Sequence, residues 1–215
     1  MFMTALVTVI AAYLIGSINF AVIFAKAFLK QDVRDLGSGN AGTTNVMRNA
    51  GFLPGALTFL CDALKGFVAT FMGKLIFEYV GTVSSDVWAV GIYGAYICGL
   101  ACMLGHVFPF FFQFKGGKGV ATSVGIFAVC SPWAIIIGLT FFAICLFVSK
   151  FVSLSSLVAT VVVIVCSIIF SDKSAALFPQ LLLGIAMAVI VFLKHKDNIK
   201  RLLAGTESKI GRKGK

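Results

Sequence analysis

Three polar clusters interrupt an otherwise apolar chain, and their residue types suit phosphate. The first is Gly37-Ser-Gly-Asn-Ala-Gly-Thr-Thr-Asn-Val-Met-Arg48. Glycines at 37, 39 and 42 let backbone N–H groups come close to a ligand. Ser38, Asn40, Thr43, Thr44 and Asn45 add polar side chains, and Arg48 adds a fork matched to phosphate. The string also fits G-x-G-x-x-G. It follows an apolar helix rather than a strand, so it is a weak dinucleotide fingerprint. The plain alternative is an ordinary polar loop.

The second cluster runs from Gly105-His106 through Phe108-Pro109 to Lys115-Gly-Gly-Lys-Gly-Val-Ala-Thr122. Lys115 and Lys118 flank Gly116-Gly117, and a helix is predicted just beyond. A glycine turn leading into a helix N-terminus is an anion site. It is not a Walker loop: Phe112 stands where that motif needs glycine, and Gly119 replaces its Ser/Thr. The Phe108–Phe114 aromatics suit a membrane interface or an acyl chain. Lysines that merely fix topology are the plain alternative.

The third cluster is Lys194-His-Lys-Asp-Asn-Ile-Lys-Arg-Leu-Leu-Ala-Gly-Thr-Glu207. On a helix leaving the membrane, His195, Asn198 and Arg201 fall three apart and share a stripe. A solvated basic tail would carry similar residues. Ser153, Ser155 and Ser156 could donate to a ligand, although serines at a helix start are more often caps. Asp62 and Lys65 lie three apart inside an apolar run, where ionisable groups are costly and usually paired. For that pair, and for His106, structural and functional readings stand level.

Several kinds of chemistry are missing. Phe111 and Lys200 stand five residues after the two histidines, so there is no H-x4-D acyltransferase motif. There is no G-x-S-x-G elbow, no H-E-x-x-H and no acidic cluster to hold Mg²⁺ between phosphates. The residues that are present suit a substrate already activated.

The elements that must position these clusters are membrane helices. The 215 residues are 60% hydrophobic and 12% charged. A soluble domain has about a quarter charged residues, and one this size could not bury so much apolar surface. The runs are continuous rather than alternating, which excludes a strand barrel. Spans are predicted at 3–29, 52–77, 87–108, 119–130, 132–149, 154–170 and 176–193. The stretch 119–148 would form about 45 Å of helix, too long for one upright span. Ser131-Pro132 near its middle divides it into two short ones. Residues 1–25 carry no positive charge ahead of the first run, so no cleavable signal is expected. The six cysteines fall inside apolar runs without a CxxC pair and read as small packing residues.

Charge sets the topology. The net charge is +10, from 18 Lys+Arg against 8 Asp+Glu. With seven spans, Lys26, Lys30, Arg34, Arg48, Lys115, Lys118, Lys150 and the basic tail share one side, as the positive-inside rule requires. Lys74 and Lys173 face the other side. With six spans the rule fails. The expectation is therefore an all-α membrane protein of seven transmembrane helices in one domain, 1–215, with the N-terminus outside and the C-terminus cytoplasmic. The outer loops, Glu78–Asp86 and Ser171–Ser174, are bland, so the chemistry is one-sided. A transporter would place polar groups near the midplane and often show repeats. It remains the alternative class, with a lipid-binding scaffold behind it.

Four strings resemble a known family: Ser38-Gly-Asn-x-Gly-x-Thr-Asn-x-x-Arg48; Asp62-x-x-Lys65-Gly66; Phe108-Pro through Lys115-Gly-Gly-Lys-Gly-Val-Ala-Thr122; and Asn198-Ile-x-Arg201-Leu-x-x-Gly205-Thr-Glu207. Together they look like the bacterial acyl-phosphate:glycerol-3-phosphate acyltransferases (PlsY), seven-helix inner-membrane enzymes. The resemblance spans nearly the whole chain. It implies transfer of an acyl group from acyl-phosphate to the 1-hydroxyl of sn-glycerol 3-phosphate, without CoA, acyl carrier protein, metal or other cofactor. It further implies a membrane-lipid setting, no nucleic-acid partner, a monomer, and a functional link to the enzyme that makes acyl-phosphate. Carried over by position, Ser38, Arg48, Lys115 and Ser153 would line phosphate pockets. His195 and Asn198 would orient the attacking glycerol phosphate. Gly39, Asn40, Gly42, Thr44, Asn45, Gly116, Gly117, Lys118 and Arg201 complete the expected binding set. Phe151 stands where the family favours Tyr. The base is either His195 or the substrate's own phosphate.

Overall fold

A computed structural model describes residues 2–84, 91–171 and 177–211. All regular structure among them is helical. The chain packs as two units, 1–130 and 131–215, each taken here by itself.

The first unit holds α1 (Phe2–Gly16), α2 (Phe20–Leu29), α3 (Thr43–Ala50), α4 (Phe52–Ser84), α5 (Gly91–Val107) and α6 (Val120–Cys130). The predicted span 3–29 is broken between α1 and α2. Ser17 Oγ donates to Tyr13 O at 2.9 Å, and Asn19 caps α2 by accepting from Val22 N at 3.2 Å. A break inside a membrane must find new partners for its backbone. Lys65 provides one, donating to Ile18 O at 2.6 Å. Small residues let the helices touch. A Cβ on Gly16 would overlap Cys102 O of α5, and one on Gly125 would overlap Ala63 O of α4. The segment Glu78–Ser84 continues α4 rather than forming the expected outer loop. Residues 85–90, with Asp86 and the start of the predicted span 87–108, lie outside the described residues.

The second unit holds α7 (Pro132–Ser149), α8 (Val152–Ile169), α9 (Leu177–Lys194) and α10 (Lys196–Leu203). Pro132 occupies the first turn of α7, where its missing N–H costs nothing. This is the interruption expected at Ser131-Pro132. Lys150 ends α7 in the left-handed conformation (φ 63°), its N–H on Leu146 O. The predicted loop residues Lys173 and Ser174, and the first residue of the predicted span 176–193, lie outside the described residues.

Five stretches among the described residues are long and apolar enough to cross a membrane: Phe2–Leu29, Phe52–Val83, Gly91–Phe112, Pro132–Ser149 and Val152–Ile169. Val120–Cys130 and Gln180–Lys194 are shorter apolar helices. Eleven residues of α6 rise only about 16 Å, half of a bilayer core. Large side chains such as Trp133, Phe147 and Phe178 are two-thirds or more exposed. Patches like these would aggregate in water and suit lipid.

Candidate active site

In the first unit, the 37–48 loop is built around one buried amide. Asn45 Nδ2 donates to Val33 O and Leu36 O, both at 2.9 Å. Its Oδ1 accepts from Ser38 N at 3.2 Å and Asn49 Nδ2 at 3.0 Å. An amide has two donors and two acceptor sites, so Asn45 is saturated. It braces the loop, with all four of its hydrogen-bonding positions engaged inside it. Gly37 has φ +52°, and a Cβ there would stand 2.6 Å from Asn45 Oδ1. Both facts require glycine.

The loop amides are largely engaged as well. Gly39 N donates to Leu36 O and Gly42 N to Asn40 O, both at 3.0 Å. The expected cradle of glycine N–H groups is therefore a set of internal turn bonds at 38, 39 and 42. What this loop offers outward is side chains. Ser38 and Arg48 are exposed; Asn40 and Thr44 are half-buried. Arg34, read from the sequence only as a topology-setting charge, pairs with Asp32 (2.8 Å) and donates from Nη1 to Phe112 O at 2.9 Å. It ties this loop to the next. The Arg34 hydrogen bonds hold the Asp32 carboxyl below its ordinary range despite the opposing effect of burial.

The 105–119 segment folds back on the end of α5. Gln113 and Phe114 both adopt positive φ, 59° and 58°. Residues with side chains rarely do so. The reversal brings Gly116 N to Val107 O (3.3 Å) and Gly117 N to His106 O (3.2 Å). A Cβ on Gly116 would overlap His106 O; one on Gly117 would overlap His106 Nε2 and stand 2.6 Å from Ala41 O. The two glycines thus allow close backbone packing, and their N–H groups are engaged. Lys115 projects beside them, exposed, with Lys118 half-buried.

Beneath that turn lie three buried ionisable groups. Lys65 Nζ is 2.8 Å from Asp62 Oδ1, and His106 Nδ1 is 3.5 Å from the same oxygen. The i,i+3 pair expected from sequence is present, and His106 joins it from α5.

In the second unit, Glu207 is the hub that sequence reasoning quoted but gave no role. Its Oε1 accepts from Ser153 Oγ at 2.8 Å and Asn198 Nδ2 at 2.7 Å. Its Oε2 accepts from Arg201 Nε at 2.7 Å. Gly205 (φ +70°) turns the chain after α10, and Ile210 N docks on Lys150 O at 2.8 Å. Burial pushes the Glu207 carboxyl up, but the bonds from Asn198, Arg201 and Ser153 outweigh it and leave it below the ordinary range. The signal in the sequence was an acid inside a strongly basic tail. Ser155 and Ser156 bond back to Phe151 O (2.8 Å) and Val152 O (2.9 Å). Ser153 is thus the serine of the three that reaches the polar cluster. While its one O–H serves Glu207 it cannot also serve a phosphate.

His195 sits at the junction of α9 and α10, 3% exposed. Its Nδ1 is 2.8 Å from Val191 O. A carbonyl can only accept, so Nδ1 carries the proton and the neutral ring has its lone pair on Nε2. A main-chain carbonyl holds the tautomer, a role for which the sequence displayed no carboxylate. Asn198 and Arg201 share the expected stripe, converging on Glu207.

The glycerol-3-phosphate acyltransferase family model matches residues 6–205. Glycerol-3-phosphate acyltransferase 2 of Bacillus anthracis is 39% identical over 205 residues, 95% of this chain and 98% of the relative. The glycerol-3-phosphate acyltransferase of Chromobacterium violaceum is 41% identical, covering 98% of this chain and 97% of its own. The crystal structure of PlsY (YgiH), an integral membrane glycerol 3-phosphate acyltransferase, in its glycerol 3-phosphate form matches with TM-score 0.81 at 36% identity over 96% of each chain. Its lysophosphatidic acid form matches with TM-score 0.76. With a family model across almost its whole length and relatives of this identity, the chain belongs to the integral membrane glycerol-3-phosphate acyltransferases of the PlsY family.

Proposed function

We propose that this protein transfers the acyl group of an acyl-phosphate to the 1-hydroxyl of sn-glycerol 3-phosphate, giving lysophosphatidic acid and inorganic phosphate. The observation that carries this reading is the near full-length likeness to an enzyme solved in glycerol 3-phosphate and lysophosphatidic acid forms. The donor is the one the family resemblance implies, and the chemistry is consistent with it. An acyl-phosphate is a mixed anhydride with a good leaving group, and the sequence offers no H-x4-D pair or nucleophile elbow. The hydroxyl oxygen attacks the acyl carbon, the bond to the phosphate oxygen breaks, and the hydroxyl proton goes to a base. No covalent acyl-enzyme is needed.

Arg48, Lys115 and Lys118, with Ser38, Asn40 and Thr44, bind substrate phosphate and offset the repulsion between two anions. Gly39, Gly42, Gly116, Gly117 and Asn45 shape the loops. Ser153, Asn198 and Arg201, with Glu207, form a polar platform. His195 accepts the glycerol hydroxyl at Nε2 and orients it; the same lone pair, or the substrate's own phosphate, takes the proton. Positioning and stabilisation of the departing phosphate are the main rate terms. The reading places all of 1–215 in one functional domain of a bacterial inner membrane protein. It has seven crossings, the N-terminus outside, the site on the cytoplasmic side, and acts as a monomer supplied by an acyl-phosphate-forming enzyme.

The test uses purified protein in lipid with palmitoyl phosphate and glycerol 3-phosphate, without CoA or metal. Lysophosphatidate and phosphate appear in equal amounts, and both are lost in Lys115→Ala and Arg48→Ala. Well-folded protein that forms neither product overturns the reading.

A further inference from the structure

We propose that Asp62, Lys65 and His106 are positioning residues: a buried polar network that fixes the 37–48 and 115–118 loops for phosphate binding. The proposal rests on the function argued above. All three side chains are 4% exposed or less. Ionisable groups inside membrane helices are expensive, and packed apolar residues often hold helices equally well. What a polar network adds is fixed direction.

Each member has a second attachment. Lys65 Nζ donates to Ile18 O in the α1–α2 break, and α2 leads directly into the first loop. His106 is in the last turn of α5, and its carbonyl accepts Gly117 N–H at 3.2 Å. Its ring edge lies against Gly117 with no room for a Cβ between them. The same Cβ would come within 2.6 Å of Ala41 O. The imidazole edge and Ala41 O thus meet Gly117 at one crowded point, where only glycine fits. Gly117 separates Lys115 from Lys118 by sequence, and Ala41 lies between Asn40 and Gly42. Moving the imidazole moves backbone in both loops. Asp62 Oδ1 stands 3.5 Å from the imidazole Nδ1, and Lys65 Nζ pairs with the same oxygen at 2.8 Å.

Three variants test this in lipid nanodiscs. His106→Leu removes both ring nitrogens. His106→Asn keeps an N–H donor near the Nδ1 position. Asp62→Asn/Lys65→Gln removes both charges together and leaves no unpaired ion, so it decides the question independently of His106. Two readouts are taken: amide hydrogen exchange over 37–48 and 105–119, and steady-state kinetics with palmitoyl phosphate and glycerol 3-phosphate.

In His106→Leu and in the double variant, exchange in both loops accelerates while α7–α9 exchange as in the wild type. KM for a phosphate substrate rises about 10- to 100-fold, the scale of a small misplacement, with kcat changed much less. His106→Asn recovers most of both effects. Wild-type loop exchange together with wild-type KM in the folded double variant overturns the proposal. A wild-type protein that exchanges as expected but turns nothing over defeats the function reading instead, and exchange still decides whether the network orders the loops.

Discussion

Ser153 and Glu207, 54 residues apart, are joined by a 2.8 Å hydrogen bond from hydroxyl to carboxylate. The same carboxylate receives Asn198 and Arg201. One acid thereby gathers a hydroxyl, an amide and a guanidinium at one point. Removing it leaves Ser153 and Asn198 donors without an acceptor in a buried setting. Glu207→Ala is expected to destabilise the protein by about 2 kcal/mol, the scale of orphaned buried donors, read as a lowered Tm. The partly exposed Arg201 pair adds little. Glu207→Gln retains one acceptor oxygen but turns an amide donor toward a donor, so it recovers only part.

Acid should act through the same group. The Glu207 carboxyl is held below its ordinary 4.5 in the folded protein. A depressed folded value means stability that is present in full above 4.5 and lost as pH falls through the folded value. Thermal unfolding from pH 7 to pH 3 should show an acid-side loss that is smaller in Glu207→Gln. An identical acid limb in both proteins contradicts this account.

The saturated Asn45 amide gives a prediction of opposite flavour from a direct ligand. Asn45→Asp keeps Oδ1 for Ser38 N but turns an oxygen toward Val33 O and Leu36 O. It should be more damaging than Asn45→Ala, which costs about 2–3 kcal/mol through unpaired buried groups. If Asn45 instead touched substrate, Asn45→Ala would unfold like the wild type and lose only binding.

These residues mark where sequence reasoning reached its limit. Pro132 announces its own helix start, because the ring lacks an N–H. Asp62 and Lys65 meet because i,i+3 spacing puts them on one face. Both effects are local, and both were legible. The basic loops and the four family strings also pointed to the substrate class. What was not legible was where hydrogen bonds close over distance. Nothing in the spacing says that Gly116 and Gly117 donate to Val107 and His106, which requires two consecutive left-handed residues at Gln113 and Phe114. Nor does an apolar run such as 3–29 reveal its break at Ser17–Asn19, whose freed carbonyl is answered by a lysine 47 residues away. Glu207 was visible as an odd acid among basic residues, but its partner Ser153 lies at the start of another helix.

The proposed phosphate ligands should behave unlike these supports. Arg48→Ala and Lys115→Ala remove exposed cations and leave the braces of both loops intact. Their Tm should stay within about 0.5 kcal/mol equivalent of the wild type, while kcat/KM drops about 10²–10³-fold. A comparable loss in Tm would place them in the scaffold.

His195 closes the argument, because its chemistry is set by a backbone atom. With Nδ1–H donated to Val191 O, the neutral ring keeps its lone pair on Nε2, which the proposed function assigns to the substrate hydroxyl. Protonation of the ring removes that lone pair. Activity should therefore fall toward acid as the ring takes up a proton. His195→Ala should lose about 10²–10⁴-fold in kcat/KM. His195→Gln separates the two roles of Nε2. A glutamine oxygen can accept the hydroxyl and orient it, yet it cannot take a proton at neutral pH. If His195 only orients, with substrate phosphate as base, His195→Gln keeps most of the wild-type rate and loses the acid limb. If His195 is the base, His195→Gln is as slow as His195→Ala. Full activity in His195→Ala excludes both roles.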